Sequence, residues 1–163
     1  MNFACFFKRL VFLITLLSVG NALHAGDTDN TERMNQATLG VIAAFGFKKQ
    51  IDADPICKGK AYPDFDLNQF WDAIPKDFIS HPGQRERIVK QFQGYLENLD
   101  TFQLPTGQTI PVAYQELKKG TALLLRKETE SSDVADLCQK MYSNSDSIFK
   151  TQIDSVTSLS VKK

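Results

Sequence analysis

Apolar residues recur every three or four positions through most of the chain beyond residue 27, and this spacing predicts amphipathic α-helices. A first helix is predicted from Asp29 to about Ile51, because Asp29 and Glu32 form a capping box and Asp54-Pro55 ends the helical pattern. Its apolar face consists of Met34, Ala37, Val41, Ala44 and Phe45, widened by Leu39 and Ile42.

After this helix, the sequence predicts a connector and then a second, shorter helix. Asp66 is the predicted N-cap of the second helix, and Phe65 and Phe70 occupy the two positions of a hydrophobic staple. Pro75 interrupts the pattern, since proline cannot donate a helical hydrogen bond. We therefore expect a kink or a restart at that position.

Three further helical segments are predicted in the second half of the chain. They run from Gln84 to Leu99, from Ala113 to Glu128, and from Val134 towards the C-terminus, where Ser143 to Ser147 predicts a split into two helices. Between residues 102 and 112, alternating apolar residues favour a short β-hairpin. The predicted fold is all-α: a small bundle of four to six helices, with the hairpin as an optional addition.

The first 25 residues have a different pattern, that of a secretory signal peptide. Lys8-Arg9 precede an apolar run from Leu10 to Val19, and small residues follow up to Ala25. The apolar run is about half as long as a membrane-spanning helix. We expect cleavage after Ala25 or, alternatively, after Ala22, a periplasmic or secreted location, and no membrane insertion of the remaining chain. Residues 26–163 would form a single helical domain.

The net charge of the chain limits which classes of partner are expected. The chain has 19 Lys and Arg and 19 Asp and Glu, and removal of the signal segment leaves a net charge of about −2. This balance gives no electrostatic reason to expect nucleic acid or an anionic membrane as the partner. The basic pairs Lys118-Lys119 and Arg126-Lys127 flank three leucines, but nearby glutamates weaken their field and disfavour a membrane-surface helix.

Two of the three cysteines, Cys57 and Cys138, remain after removal of the signal segment. An oxidising compartment favours their pairing, and they lie too far apart for a C-x-x-C redox motif. We expect a structural disulfide, rather than a catalytic or metal-binding pair. It would join the connector to the last helical region and close a loop of about 81 residues.

Residues with catalytic or metal-binding chemistry form no familiar motif. His81, the only histidine outside the signal segment, lies in a predicted turn with Pro82-Gly83, and it cannot complete a zinc site beside two oxidised cysteines. The pairs Asp52/Asp54, Asp64/Asp66 and Asp72/Asp77 lack the spacing of a calcium loop and are explained by helix caps and solvated positions. We therefore predict no catalytic residue, no metal and no cofactor.

The densest aromatic region surrounds the connector and the second helix. An apolar groove for a peptide or small ligand could use Tyr62, Phe65 and Trp71, of which Tyr62 and Phe65 are expected to be partly exposed. The alternative is that these residues belong to the hydrophobic core, since they lie close to one helical face.

The signal segment, the helical composition and the single long-range cysteine pair are similar in outline to two groups of exported proteins. These are small periplasmic acid-stress chaperones and periplasmic immunity proteins that neutralise secreted toxins. Val134-Ala-Asp-Leu-Cys138, followed by a polar helix, resembles the region of the second cysteine in the chaperone group, although this chain is longer.

Three functions fit the sequence. The favoured one is a small exported protein that binds another envelope or secreted protein, as an accessory, inhibitor or immunity-type factor. The alternatives are a periplasmic acid-stress chaperone and a carboxylate-dependent hydrolase, which would need two or more acidic residues to converge in a pocket. The near-neutral charge and the absence of catalytic motifs favour the binding protein.

Overall fold

A computed structural model describes residues 27–76, 78, 83–128 and 134–159 of the chain. Most of these residues lie in five helices: α1 (Asp27–Ala53), α2 (Leu67–Ala73), α3 (Gln84–Glu97), α4 (Ile110–Glu128) and α5 (Val134–Thr157). The predicted all-α bundle of four to six helices is confirmed. The predicted signal peptide, Asp77 and the turn containing His81 lie outside the described residues. Within the described ranges, no helix has the length and apolar character needed to cross a membrane.

α1 is the central helix of the bundle. It packs against three other helices and carries buried apolar residues on more than one side. Its fully buried residues are Ala37, Val41, Ile42, Ala44 and Ile51. It packs chiefly against α5 and also against α3 and α4. Phe45 contacts Phe149, while Arg33, near the start of α1, donates to the carbonyl of Ser155, near the end of α5. The two helices are therefore antiparallel.

Two apolar clusters form the core. The larger one joins α1, α2, α3 and α5 and contains the aromatic residues Phe65, Phe70, Trp71, Phe92 and Phe149. The smaller one joins α1, α4, α5 and the connector, and it contains Phe47, Ile51, Ile110, Tyr114 and Met141 together with both cysteines. The smaller cluster lies under the surface where the candidate site is found.

The connector between α1 and α2 runs beside α5 in the same direction as that helix. Three pairs hold it there, in chain order: Cys57–Cys138, Tyr62–Tyr142 and Phe65–Phe149. The predicted disulfide is confirmed, with its two Cα atoms 5.7 Å apart. The Tyr142 hydroxyl adds a hydrogen bond to the Pro63 carbonyl oxygen at 3.2 Å. The connector is thus attached to α5 at several successive points.

The predicted hairpin is reduced to one antiparallel bridge, between Gln103 and Thr109. α4 begins at Ile110, three residues before the predicted start, so the second half of the expected hairpin is helical. Pro111 fits in the first turn of a helix, because its missing N–H would have no helical partner there. The alternating pattern therefore gave the wrong structure for residues 110–112.

The predicted split of the last helical region is also wrong, since α5 is continuous through Ser143 to Ser147. Ser145 is fully buried, and its hydroxyl donates to the Met141 carbonyl oxygen at 3.1 Å. A hydroxyl that is satisfied within the helix does not compete with the helical backbone.

α2 confirms the predicted cap, because Asp66 Oδ1 accepts a hydrogen bond from the Asn68 amide at 3.0 Å. It ends at Ala73, just before Ile74-Pro75. The residue before a proline is disfavoured in the helical conformation. Pro75 therefore follows the end of α2 rather than kinking it.

Candidate functional site

Two surface grooves flank the first half of α5 on opposite faces. The first, the tyrosine groove, has a volume of about 430 Å³ and includes Tyr62, Pro63, Asp136, Gln139 and Tyr142 in its walls. The second, the α4/α5 groove, has a volume of about 380 Å³. Both volumes are in the range of small-ligand and side-chain pockets in proteins.

The α4/α5 groove has an apolar floor and a polar rim. We call its apolar lining residues, Ile56, Ala122, Leu125, Val134 and Leu137, the floor, and its polar lining residues, Gln115, Lys118, Lys119 and Arg126, the rim. The α4 residues recur at intervals of three and four, so they share one face of that helix. Ile56 and Leu137 directly precede the bonded Cys57 and Cys138, and the disulfide therefore fixes both residues in place.

The lining of this groove includes exposed apolar side chains. The described residues include four large hydrophobic side chains that are exposed, between 46% and 59%: Ile56, Val112, Leu123 and Val134. Ile56 and Val134 line the α4/α5 groove, whereas Val112 and Leu123 do not. Single exposed hydrophobic residues are common on protein surfaces, whereas a cluster marks an interaction site.

The rim of the groove is cationic. Lys118, Lys119 and Arg126 line it, and the described lining residues include no carboxylate. Lys119 pairs with Glu116 at 2.9 Å, but both side chains are well exposed, and such pairs are weak. The groove therefore offers positive charge beside an apolar floor.

A buried carboxylate, Asp54, fixes two of the groove residues. Asp54 Oδ2 accepts hydrogen bonds from Lys118 Nζ at 2.6 Å and from the Tyr114 hydroxyl at 3.3 Å. Asp54 Oδ1 accepts one from the Ile56 amide at 2.9 Å. Lys118 and Ile56 line the α4/α5 groove and Tyr114 lies in the core beneath α4, so the carboxylate joins the end of α1 to α4.

The environment of Asp54 acts on its pKa in two opposing ways. Burial raises the pKa, whereas the hydrogen bond and charge of Lys118 and the hydrogen bond of the Ile56 amide lower it; the net effect is a lowered pKa. The carboxylate is therefore ionised at neutral pH. In turn, burial and the neighbouring Asp54 charge raise the pKa of Tyr114 well above its ordinary value, so its hydroxyl stays protonated and donates.

Two of the sequence-predicted acidic residues, Asp52 and Asp64, converge on one buried cation. Lys48 Nζ lies 2.6 Å from Asp52 Oδ2 and 3.1 Å from Asp64 Oδ1. Burial lowers the pKa of Lys48, but the two carboxylates outweigh burial and leave the pKa raised. This cluster attaches the connector to α1. Neither carboxylate lines either of the two grooves.

The remaining acidic residues predicted from sequence serve local roles. Asp66 caps α2, and Asp72 pairs with Arg85 at 3.2 Å on the surface. Among the described residues, no group of three or more His, Cys, Asp or Glu side chains could hold a metal ion.

The structure separates the three aromatic residues proposed as a binding surface. Tyr62 lies in the wall of the tyrosine groove, stacked on Tyr142 with ring centroids 4.7 Å apart. Phe65 and Trp71 are only 8% and 6% exposed and belong to the larger core cluster. The expectation that Phe65 is partly exposed is wrong, because its ring packs against Phe149 at 5.1 Å. Tyr62 is thus the one member of the set on a groove.

Sequence reasoning missed the α4/α5 groove and the role of Asp54. From the sequence, the basic pairs on α4 suggest only a disfavoured membrane-surface helix, and Asp54 is only the end of α1 and one member of the Asp52/Asp54 pair. The signal that could have found the groove is the set of polar and basic residues Gln115, Lys118, Lys119 and Arg126, which recur at helical spacing on one face of α4.

Comparison of the chain with protein-family models, with curated proteins and with solved structures gives no match. Its function is therefore inferred from the geometry of the two grooves.

Proposed function

We propose that this chain is an exported helical protein that binds another envelope or secreted protein through the α4/α5 groove, as an accessory, inhibitor or immunity-type factor. The observation that supports this proposal is that two exposed apolar side chains, Ile56 and Val134, belong to the floor of a groove with a cationic rim. Full burial of one large apolar side chain contributes about 1.5–3 kcal/mol, so a partner that covers these two half-exposed side chains gains about half of that at each.

The rigidity of the groove also favours protein binding. The Cys57–Cys138 bond fixes the adjacent floor residues Ile56 and Leu137. The ion pair of Lys118 Nζ with Asp54 Oδ2, 2.6 Å apart, fixes one rim residue. A preformed surface loses less conformational entropy when a partner binds. Interfaces of this kind concentrate their binding energy in a few central residues.

Export is supported by the signal-like segment and by the disulfide, which forms in oxidising compartments. We expect mature protein from the native cell envelope to begin after Ala25 or Ala22. Mass spectrometry of its N-terminal peptide measures this directly. Mature protein that retains residues 1–22 would contradict the proposal.

Protein binding is tested by affinity capture from the native envelope, with variants that place a charge at the groove. Ile56→Glu and Val134→Glu are expected to lose a stoichiometric partner that the native chain retains, because each puts a carboxylate where an apolar contact is needed. Val112→Glu is the matched control, since Val112 is equally exposed on α4 but does not line the groove. Equal retention of the partner by all three variants would contradict the proposed binding site.

A second candidate function, an acid-activated chaperone, is favoured by the buried Asp54. Protonation of Asp54 in acid would break its ion pair with Lys118 and loosen the contact between α1 and α4. Apolar surface near the groove would then be exposed below about pH 4, the range of carboxylates. The test is suppression of client aggregation at pH 3 and pH 7. Activity that is confined to pH 3 would favour the chaperone over the binding factor.

A further inference from the structure

We infer that the α4/α5 groove binds an acidic amphipathic helix, which presents two carboxylates two turns apart to Lys119 and Arg126 and apolar side chains between them to the groove floor. The inference rests on the proposed function, because it specifies the chemistry of the partner at the same groove.

The charge requirement follows from which rim cations are available. Lys118 is already bound to the buried Asp54 at 2.6 Å. Lys119 is exposed and held only by the surface residue Glu116, a pair that a partner can replace. Arg126 is also exposed on the rim. Two exchangeable cations therefore face the occupant, and a basic segment would be repelled by both.

The spacing of these cations fits a helix. Lys119 and Arg126 are seven residues apart on α4, which places them on one face of the helix and about 10 Å apart along its axis. Carboxylates at positions i and i+7 of an adjacent helix have the same separation, and positions i+3 and i+4 lie between them on the same face. Those two positions would carry the apolar side chains.

The walls of the groove also favour a helix over an extended segment. Helices α4 and α5 form its two long sides, and their backbone groups are paired within each helix. An extended peptide would leave its own N–H and C=O groups without partners over the apolar floor, which is unfavourable. In the described chain the only bridge between extended residues, Gln103–Thr109, lies outside the groove lining. A helix satisfies its own backbone and needs to present only side chains.

The experiment uses the oxidised chain without its signal segment and two synthetic helical peptides of about 16 residues, roughly four turns each. One peptide carries Glu at positions i and i+7 with Leu at i+3 and i+4, and the other has Lys in place of both Glu. Fluorescence anisotropy measures binding to the native protein, to Lys119→Glu/Arg126→Glu, and to a control variant, Lys49→Glu/Lys90→Glu. The control changes the net charge equally at exposed positions away from the groove.

The expected result is that the double substitution reverses which peptide the protein prefers. The Glu peptide binds the native and control proteins and loses about tenfold or more in affinity to Lys119→Glu/Arg126→Glu, whereas the Lys peptide binds that variant best. Equal binding of both peptides to all proteins would overturn the inference, because it indicates apolar adhesion without charge recognition. Self-association of the native chain that the Lys119→Glu/Arg126→Glu substitution abolishes would also overturn it, with a second copy as the occupant.

The two proposals fail in distinguishable ways. If Val134→Glu loses the native envelope partner but Lys119→Glu/Arg126→Glu retains it, the groove binds a protein that is not an acidic helix. In that case the inference is wrong and the proposed function stands. If neither variant changes capture of the partner, both are wrong.

Discussion

Replacement of Asp54 by alanine is expected to lower the free energy of unfolding by about 3–4 kcal/mol at pH 7. The carboxylate is buried and accepts three hydrogen bonds, from Lys118, Tyr114 and the Ile56 amide. The substitution removes all three acceptor contacts at once. It also removes the polar contact between the end of α1 and α4.

The magnitude follows from what each donor does after the substitution. Loss of the charge-assisted bond from Lys118 costs about 1.5–3 kcal/mol, reduced because the lysine is partly exposed and can turn towards water. The Tyr114 hydroxyl is buried and left without its acceptor, which costs a further 1–3 kcal/mol or so. Ile56 is 46% exposed, so loss of the bond from its amide is expected to add less than the other two.

The effect depends on pH with a definite sign. Because the folded-state pKa of Asp54 is lowered, the stability that its charge contributes is present above the unfolded pKa, near 4, and is lost as the pH falls through the folded pKa. The difference between the native chain and Asp54→Ala is therefore expected to be constant from about pH 5 to pH 8 and to shrink below about pH 4.

Urea unfolding followed by circular dichroism at pH 7 and pH 3 measures both quantities. Tyr114→Phe in each background is the control. It should lower the free energy of unfolding less in Asp54→Ala than in the native chain, because there it removes a buried hydroxyl that has lost its acceptor. A loss below about 1 kcal/mol at pH 7, or an equal loss at both pH values, would refute this account of the buried carboxylate.

Three further substitutions test the packing and the covalent link. Gly46→Ala is expected to destabilise the protein by about 1 kcal/mol, because a Cβ would lie 2.5 Å from Ile110 Cγ2 in the core and this overpacking exceeds the gain in helix propensity. Gly120→Ala, where a Cβ meets no atom within 4 Å, should stabilise it by about 0.5–1 kcal/mol; thermal unfolding of the two variants side by side checks the opposite signs. Double replacement of Cys57 and Cys138 by serine should lower the stability by about 2–4 kcal/mol, measured by chemical unfolding under oxidising conditions. Free thiols in oxidised native protein would contradict the last prediction.

The helices could be predicted because each one carries its own periodic pattern and stop signals. Asp66 caps α2 and Asp54-Pro55 ends α1 through interactions within a few residues. The predictions failed at Pro111 and at Ser145, where the same residue type suits two local structures. At such positions the tertiary packing determines the local structure. Ser145, for example, is buried in the core and its hydroxyl donates to a carbonyl of its own helix.

The candidate site could be predicted only in part. The disulfide followed from the count of cysteines and the signal segment, whereas the α4/α5 groove joins Ile56, residues 115–126 and Val134, three segments that no local pattern brings together. The pair of Asp54 and Lys118 is separated by 64 positions. Likewise, the burial of Phe65 depends on Phe149, which is also distant in the chain.

The pairing of α1 with α5 has a consequence for the folding kinetics. Phe45 and Phe149 meet although more than 100 positions separate them, so the main helix–helix interface requires closure of a long loop. Long-range contacts of this kind slow folding, because the entropy of loop closure is lost before the contacts form. The Cys57–Cys138 bond joins a point just beyond α1 to the first turns of α5. Once it has formed, the path between the two helices shortens to a few residues, and a slow encounter between the two ends of the chain becomes a fast local one.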